Sequence, residues 1–119
     1  MISGEKFRKN EHLLKTGDFK KVYKKGLVGR TTGVVLYSLV RGDGPNRLGF
    51  SISSKNVKKA TSRNRVRRLF REAYRKNKGK LKNGFDIVIV IRKDLHKELT
   101  YDSAQAAFLK LAGNIGLLR

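Results

Sequence analysis

At 119 residues with a formal charge of +20, the chain can bury one core, has no room for a second domain, and carries far more charge than solubility requires. Self-repulsion on that scale calls for an anionic partner, with nucleic acid the leading class. The chain has no cysteine, which removes disulfide frameworks and thiolate metal sites, and its longest apolar run, Ile87–Ile91, is far too short to span a bilayer.

Residues 1–15 lack the apolar centre of a secretory signal, so a cytoplasmic protein is expected. They mix basic and polar side chains without a sustained apolar period, which predicts an extended basic arm on a single domain covering 1–119. Thr16 then offers a helix cap, Asp18 sits in a first turn, and Phe19, Val22 and Tyr23 follow at helical spacing until Gly26 stops the pattern. A short amphipathic helix with an aromatic side results. That side suits either packing on a sheet or a stacking platform for unpaired bases, and spacing does not choose between them.

From Gly26 the texture becomes strand-like, and Gly26–Thr32 can supply a short edge strand. Gly33–Arg41 is rich in β-branched and aromatic residues, Gly42–Asn46 is a turn signal, and Arg47–Ser53 alternates again, so a hairpin is the economical expectation. Alternation puts Val35, Tyr37 and Leu39 on one face, and it sets Leu48, Phe50 and Ile52 against Gly49, Ser51 and Ser53. The Gly/Ser face leaves room for the protein's own helix or for a strand of nucleic acid.

Lys55–Tyr74 reads as a helix with one apolar stripe and one arginine face. With Val66 at zero, Leu69, Phe70, Ala73 and Asn77 fall within about 60° of it. Asn64, Arg67, Arg68, Arg71 and Arg75 fall at roughly 100° to 200°, with Arg63 and Arg65 on the edges. Only Glu72 is acidic here, so the charges are not neutralised in alternating pairs. A basic face of this kind can be a solvated surface. Arginine rather than lysine favours binding, because its planar fork clamps phosphate and stacks on bases, and Asn64 adds an amide able to read a base edge.

Asn77–Gly84 is a basic, glycine-punctuated loop, and Phe85–Ile91 is nearly all apolar, the pattern of a strand near the sheet centre. Arg92–Thr100 connects to a last helix carrying Tyr101, Ala104, Phe108, Leu111 and Ile115 on its inner side. Gln105 falls outside that stripe. The 9 carboxylates are spread singly and the 2 histidines, His12 and His96, are far apart, so neither a metal cluster nor paired imidazoles can be read from the spacing. Gly42 and Gly44 flank an Asp in a turn rather than forming a phosphate loop.

The run Arg63-Asn64-Arg65-Val66-Arg67-Arg68-Leu69-Phe70-Arg71-Glu72 resembles the signature of the protein subunit of bacterial ribonuclease P. Leu48–Ser53, Lys15–Lys25 and Gly84–Lys93 fall where that family has counterparts, so the resemblance covers nearly the whole chain. It implies an α+β fold: a compact two-layer α/β sandwich with three helices on a mixed four-stranded sheet, in the order αβββαβα, with a left-handed crossover against the usual rule. It also implies that a large RNA subunit performs catalysis and that the complex removes the 5′ leader of precursor tRNA. Carried over by position, Arg63, Asn64, Arg65, Arg67, Arg68 and Arg71 would bind the RNA subunit, and Phe19, Tyr23 and Tyr37 would bind the leader. No catalytic residue and no cofactor is expected on the protein; magnesium is expected on the RNA. Neither a membrane nor an obligate protein partner is expected. The other reading is a ribosomal or general structural RNA-binding protein without a processing role.

Overall fold

The structure, a computed structural model, describes residues 7, 9–31, 33–95 and 98–119. Its regular elements are α1 (Thr16–Lys25), β1 (Leu27–Thr31), β2 (Val34–Val40), β3 (Arg47–Ile52), α2 (Ala60–Lys76), β4 (Phe85–Ile91) and α3 (Tyr101–Asn114), the expected αβββαβα order. Short 3-10 turns occupy Lys9–Glu11 and Lys78–Lys80.

The apolar run in β4 decides the topology. Ile87, Val88, Ile89 and Ile91 are each 0% exposed, which requires neighbours on both edges and both faces. The sheet order is β1-β2-β4-β3, with β4 antiparallel to β2 and parallel to β3. The expected hairpin between Gly33–Arg41 and Arg47–Ser53 is therefore not formed, because β4 lies between those two strands. The hairpin that does form joins β1 to β2.

The Gly42–Asn46 loop steps across the end of β4 and is bonded to the segment that precedes it. The N–H groups of Arg41 and Gly42 donate to the carbonyl of Gly84 at 2.7 and 3.1 Å. Asn46, only 4% exposed, donates through Nδ2 to the Lys82 carbonyl at 2.7 Å and accepts the Phe85 N–H at 2.8 Å. Gly84 has φ +84, and a Cβ there would collide with the Gly42 carbonyl oxygen, so both conformation and space demand glycine. Asp86, the one acid in β4, accepts from Arg41 Nε at 3.1 Å and from Arg47 Nε and Nη2, both at 2.8 Å.

Most of the core lies on one face. Leu36, Leu48, Ile52, Ile87 and Ile89 pack there with Val66, Phe70 and Ala73 of α2 and with Ala104, Phe108 and Leu111 of α3. Gly29 brings β1 close beneath α3, since its missing Cβ would lie 3.2 Å from Ile115 and 3.4 Å from Leu111. On the opposite face α1 covers a smaller core of Leu13, Val22 and Val88, flanked by Phe19, Tyr37, Leu39 and Val90. A ten-residue helix is marginal alone, and α1 has no side-chain cap bond. Burying Val22 and its neighbours at about 1.5–3 kcal/mol each supplies what the helix lacks.

Several boundaries differ from expectation for local reasons. Thr16 is the first helical residue rather than a cap, the cap position being Lys15. The central helix starts at Ala60, because Ser53–Val57 must first turn the chain away from β3; the N–H groups of Asn56 and Val57 donate to the Ser53 carbonyl at 3.2 and 2.9 Å. Tyr74, outside the apolar stripe by angle, is 1% exposed. α3 opens with a capping box in which Thr100 Oγ1 accepts the Ser103 N–H and Ser103 Oγ accepts the Thr100 N–H.

Where it is described, the end of the arm expected over 1–15 lies against the sheet. Glu11 and Leu13 are 1% and 2% exposed, His12 bridges to Leu48 beside β3, and the Leu13 N–H donates to the Leu48 carbonyl at 3.0 Å. Leu13 closes the small core above Gly49, and Glu11 finds buried partners, so the segment gains by lying against the sheet. Residues 1–6 and 8 of that arm lie outside the described residues, as do Thr32 and His96.

Candidate nucleic-acid interface

Helix α2 fixes the six signature residues, and their surroundings divide them. Arg63 turns back to brace the entry to its own helix, with Nη1 donating to the carbonyls of Val57 and Lys58, both at 2.9 Å. Arg65 reaches across to α3, donating to the Leu99 carbonyl at 2.8 Å. Asn64 and Arg68 are exposed, and Arg67, half-buried, donates to Asn64 Oδ1 at 3.0 Å. That bond ties the amide to the guanidinium and leaves both at the surface. Of the wider face, Arg75 is paired to Glu72 at 2.6 Å.

Arg71 is built differently. Its Cζ lies 5.8 Å from the Phe7 ring centre and 5.7 Å from that of Phe50, so the guanidinium has cation–π contact with two rings. Its Nε is buried without a hydrogen-bond partner. Burial, and after it the charge of Arg67, lowers its pKa, yet a guanidinium stays protonated under ordinary conditions.

Arg67 and Arg71 reach a shared cavity. His12, Leu13, Leu14, Phe19, Leu48, Gly49, Phe50, Arg67 and Arg71 line an open cavity of about 330 Å³ between α2, β3 and α1. Phe19 links it to the aromatic row. The Phe19 and Tyr23 rings are 6.4 Å apart at 51°, and those of Tyr23 and Tyr37 are 5.0 Å apart at 76°. The register carries the row onto the sheet, because Tyr37 stands opposite Val88 and Val88 opposite Gly49. A Cβ on Gly49 would lie 2.5 Å from the Phe19 ring and 3.0 Å from the Leu13 carbonyl.

Burial differs along the aromatic helix. Val22 is fully buried core, Phe19 is half-buried against Gly49, and Tyr23 is 40% exposed. Beyond Tyr37, a second groove of about 300 Å³ is lined by Arg30, Thr31, Gly33, Val35 and Arg92. Arg30 and Arg92 were missed at the level of sequence, as were Phe7 and Phe50 as partners of Arg71. Strand alternation would have put Arg30 on the Tyr37 side once the pairing of Arg30 with Val35 was known, but that register is not written in either strand alone.

A mixed sheet with an arginine helix at one end and a ring-lined face flanked by guanidinium groups defines an RNA-binding protein of α+β architecture. The family model described as Ribonuclease P matches residues 7–116, and the chain belongs to that family. It is 38% identical over 109 residues to the ribonuclease P protein component of Alkaliphilus metalliredigens, covering 92% of this chain and 96% of that one. It is 46% identical over 87 residues to the counterpart of Clostridioides difficile, covering 72% and 75%. Among solved structures, the RNase P protein of Thermotoga maritima superposes with a TM-score of 0.75 at 32% identity, covering 84% of this chain and 93% of that one. That of Staphylococcus aureus gives 0.79 at 25% identity, covering 92% and 98%. Proteins of this family take part in tRNA processing with an RNA subunit.

Proposed function

We propose that this chain is the positioning subunit of a cytoplasmic ribonuclease P holoenzyme, docking α2 on a catalytic RNA and holding the 5′ leader of precursor tRNA across its sheet. One observation carries the reading: the arginine-lined cavity, the Phe19–Tyr23–Tyr37 row and the Arg30/Arg92 groove follow one another along one side of the molecule. A single strand needs faces on which bases stack and cations beside its phosphates, and this path offers both in sequence. Asn64, Arg67 and Arg68 point outward from α2 towards the RNA subunit, and Arg63 and Arg65 hold the helix in place while lending charge.

The chain's own groups act by binding and orientation. Fixed guanidinium groups replace part of the cation atmosphere that a folded RNA otherwise recruits, and a held leader places the scissile bond without further entropy cost. Among the described residues no three of His, Cys, Asp and Glu gather at a point. The acids Glu11, Glu72 and Asp86 are engaged in ion pairs. Metal ions on phosphates of the RNA would supply the activated water.

The test is to recover the RNA bound to this chain from its native cell and assay it with the protein. The expected result is one long structured non-ribosomal RNA that cleaves precursor tRNA. Ribosomal RNA alone would overturn the proposal in favour of a structural RNA-binding role.

A further inference from the structure

At 1% exposure Glu11 is the most enclosed acid among the described residues, and it touches neither RNA surface proposed above. Its Oε2 accepts the Tyr74 hydroxyl at 2.9 Å and its Oε1 accepts Lys78 Nζ at 2.7 Å. Burying a carboxylate costs several kcal/mol before pairing repays it, so the pairing by itself is weak evidence that the residue is there for stability. What the carboxylate adds is direction, because two bonds to separate groups fix how residue 11 lies and therefore which later residues face inward.

The register that follows is specific. Leu13 enters the small core above Gly49, while Leu14, beside it, is 79% exposed at the cavity wall. A slip of one residue would exchange the two. His12 sits against Phe7, their ring centres 4.2 Å apart, and Phe7 in turn abuts both Tyr74 and Arg71. The bonds of Glu11 thus govern both the wall of the cavity and the ring that flanks its arginine.

We propose that Glu11 is a positioning residue for leader recognition: by setting the register of residues 12–14 beside β3, it shapes the cavity that joins the arginine face to the aromatic row. The proposal rests on the leader-path reading above. The closing experiment compares Glu11→Leu, Glu11→Gln and Tyr37→Ala in the reconstituted holoenzyme, with amide hydrogen exchange on the free protein. Glu11→Leu should speed exchange at the Leu13 amide by roughly tenfold or more, as expected when a buried bond pair is lost. The KM for leader-bearing precursor should rise by about tenfold while kcat stays within about twofold. Glu11→Gln, which keeps an acceptor and a polar head, should recover most of both effects. Should Glu11→Leu not fold, Glu11→Gln and Tyr74→Phe carry the same readouts with smaller shifts in the same direction. An unchanged Leu13 exchange rate, or faster exchange with no change in the KM for precursor, would overturn the proposal. Tyr37→Ala separates the two readings: if it leaves the precursor KM unaltered, the leader path fails and this proposal with it. If Tyr37→Ala raises KM and Glu11→Leu does not, only the role of Glu11 fails.

Discussion

Arg68 and Arg71 lie three residues apart on one helix, yet one is exposed and the other rests against two rings with a buried Nε. The difference sets what each substitution should do. Arg68→Ala should weaken binding of the RNA subunit and lower the slope of log affinity against log salt by about one phosphate contact, with the melting temperature unchanged. Arg71→Lys keeps the charge but loses the planar stack, so it should weaken RNA binding and also destabilise the fold by roughly 0.5–2 kcal/mol, which thermal unfolding would record. An identical response from both would mean that the rings around Arg71 do nothing. The wheel drawn on the sequence found all these arginines, because charge and period are local. It could not show that Arg63 and Arg65 bond to backbone carbonyls of Val57, Lys58 and Leu99, since those partners are brought by loops. Nor could it show Tyr74 as buried, for its place depends on Glu11, 63 residues away.

Among the elements, β4 was legible from its composition alone, and α1 and α3 from their periods. The pairing of β2 with β3 was misjudged because a glycine-rich turn signals that the chain reverses, not which strand it will lie beside. The partner of both strands arrives only at Phe85–Ile91, after α2, and its need for burial on both sides outranks a hairpin. The same geometry makes Gly49 the hinge between fold and site. Gly49→Ala would drive a methyl into the Phe19 ring and the Leu13 carbonyl, costing about 1–3 kcal/mol as overpacking. Denaturant unfolding should show that loss, and the displaced ring should reduce preference for precursor over mature tRNA. A stable variant with full preference would show that Phe19 is not fixed by the strand beneath it.

For the molecule as a whole, the charge of +20 is distributed to a purpose under the proposed reading. The sheet is shielded on one face by α2 and α3 and only partly on the other by α1, and the bare remainder carries rings and arginines. Electrostatics would then bring any polyanion near, while stacking would distinguish a single strand from a folded one. That distinction is the central claim. Its most direct measurement is the affinity of holoenzyme for leader-bearing precursor and for mature tRNA, with native protein and with Tyr37→Ala, at one salt concentration. The account predicts a loss of about tenfold for precursor, within the roughly 1–3 kcal/mol that stacking one base contributes, and no loss for mature tRNA. Equal losses for the two ligands would contradict it and return the aromatic row to a role in packing alone.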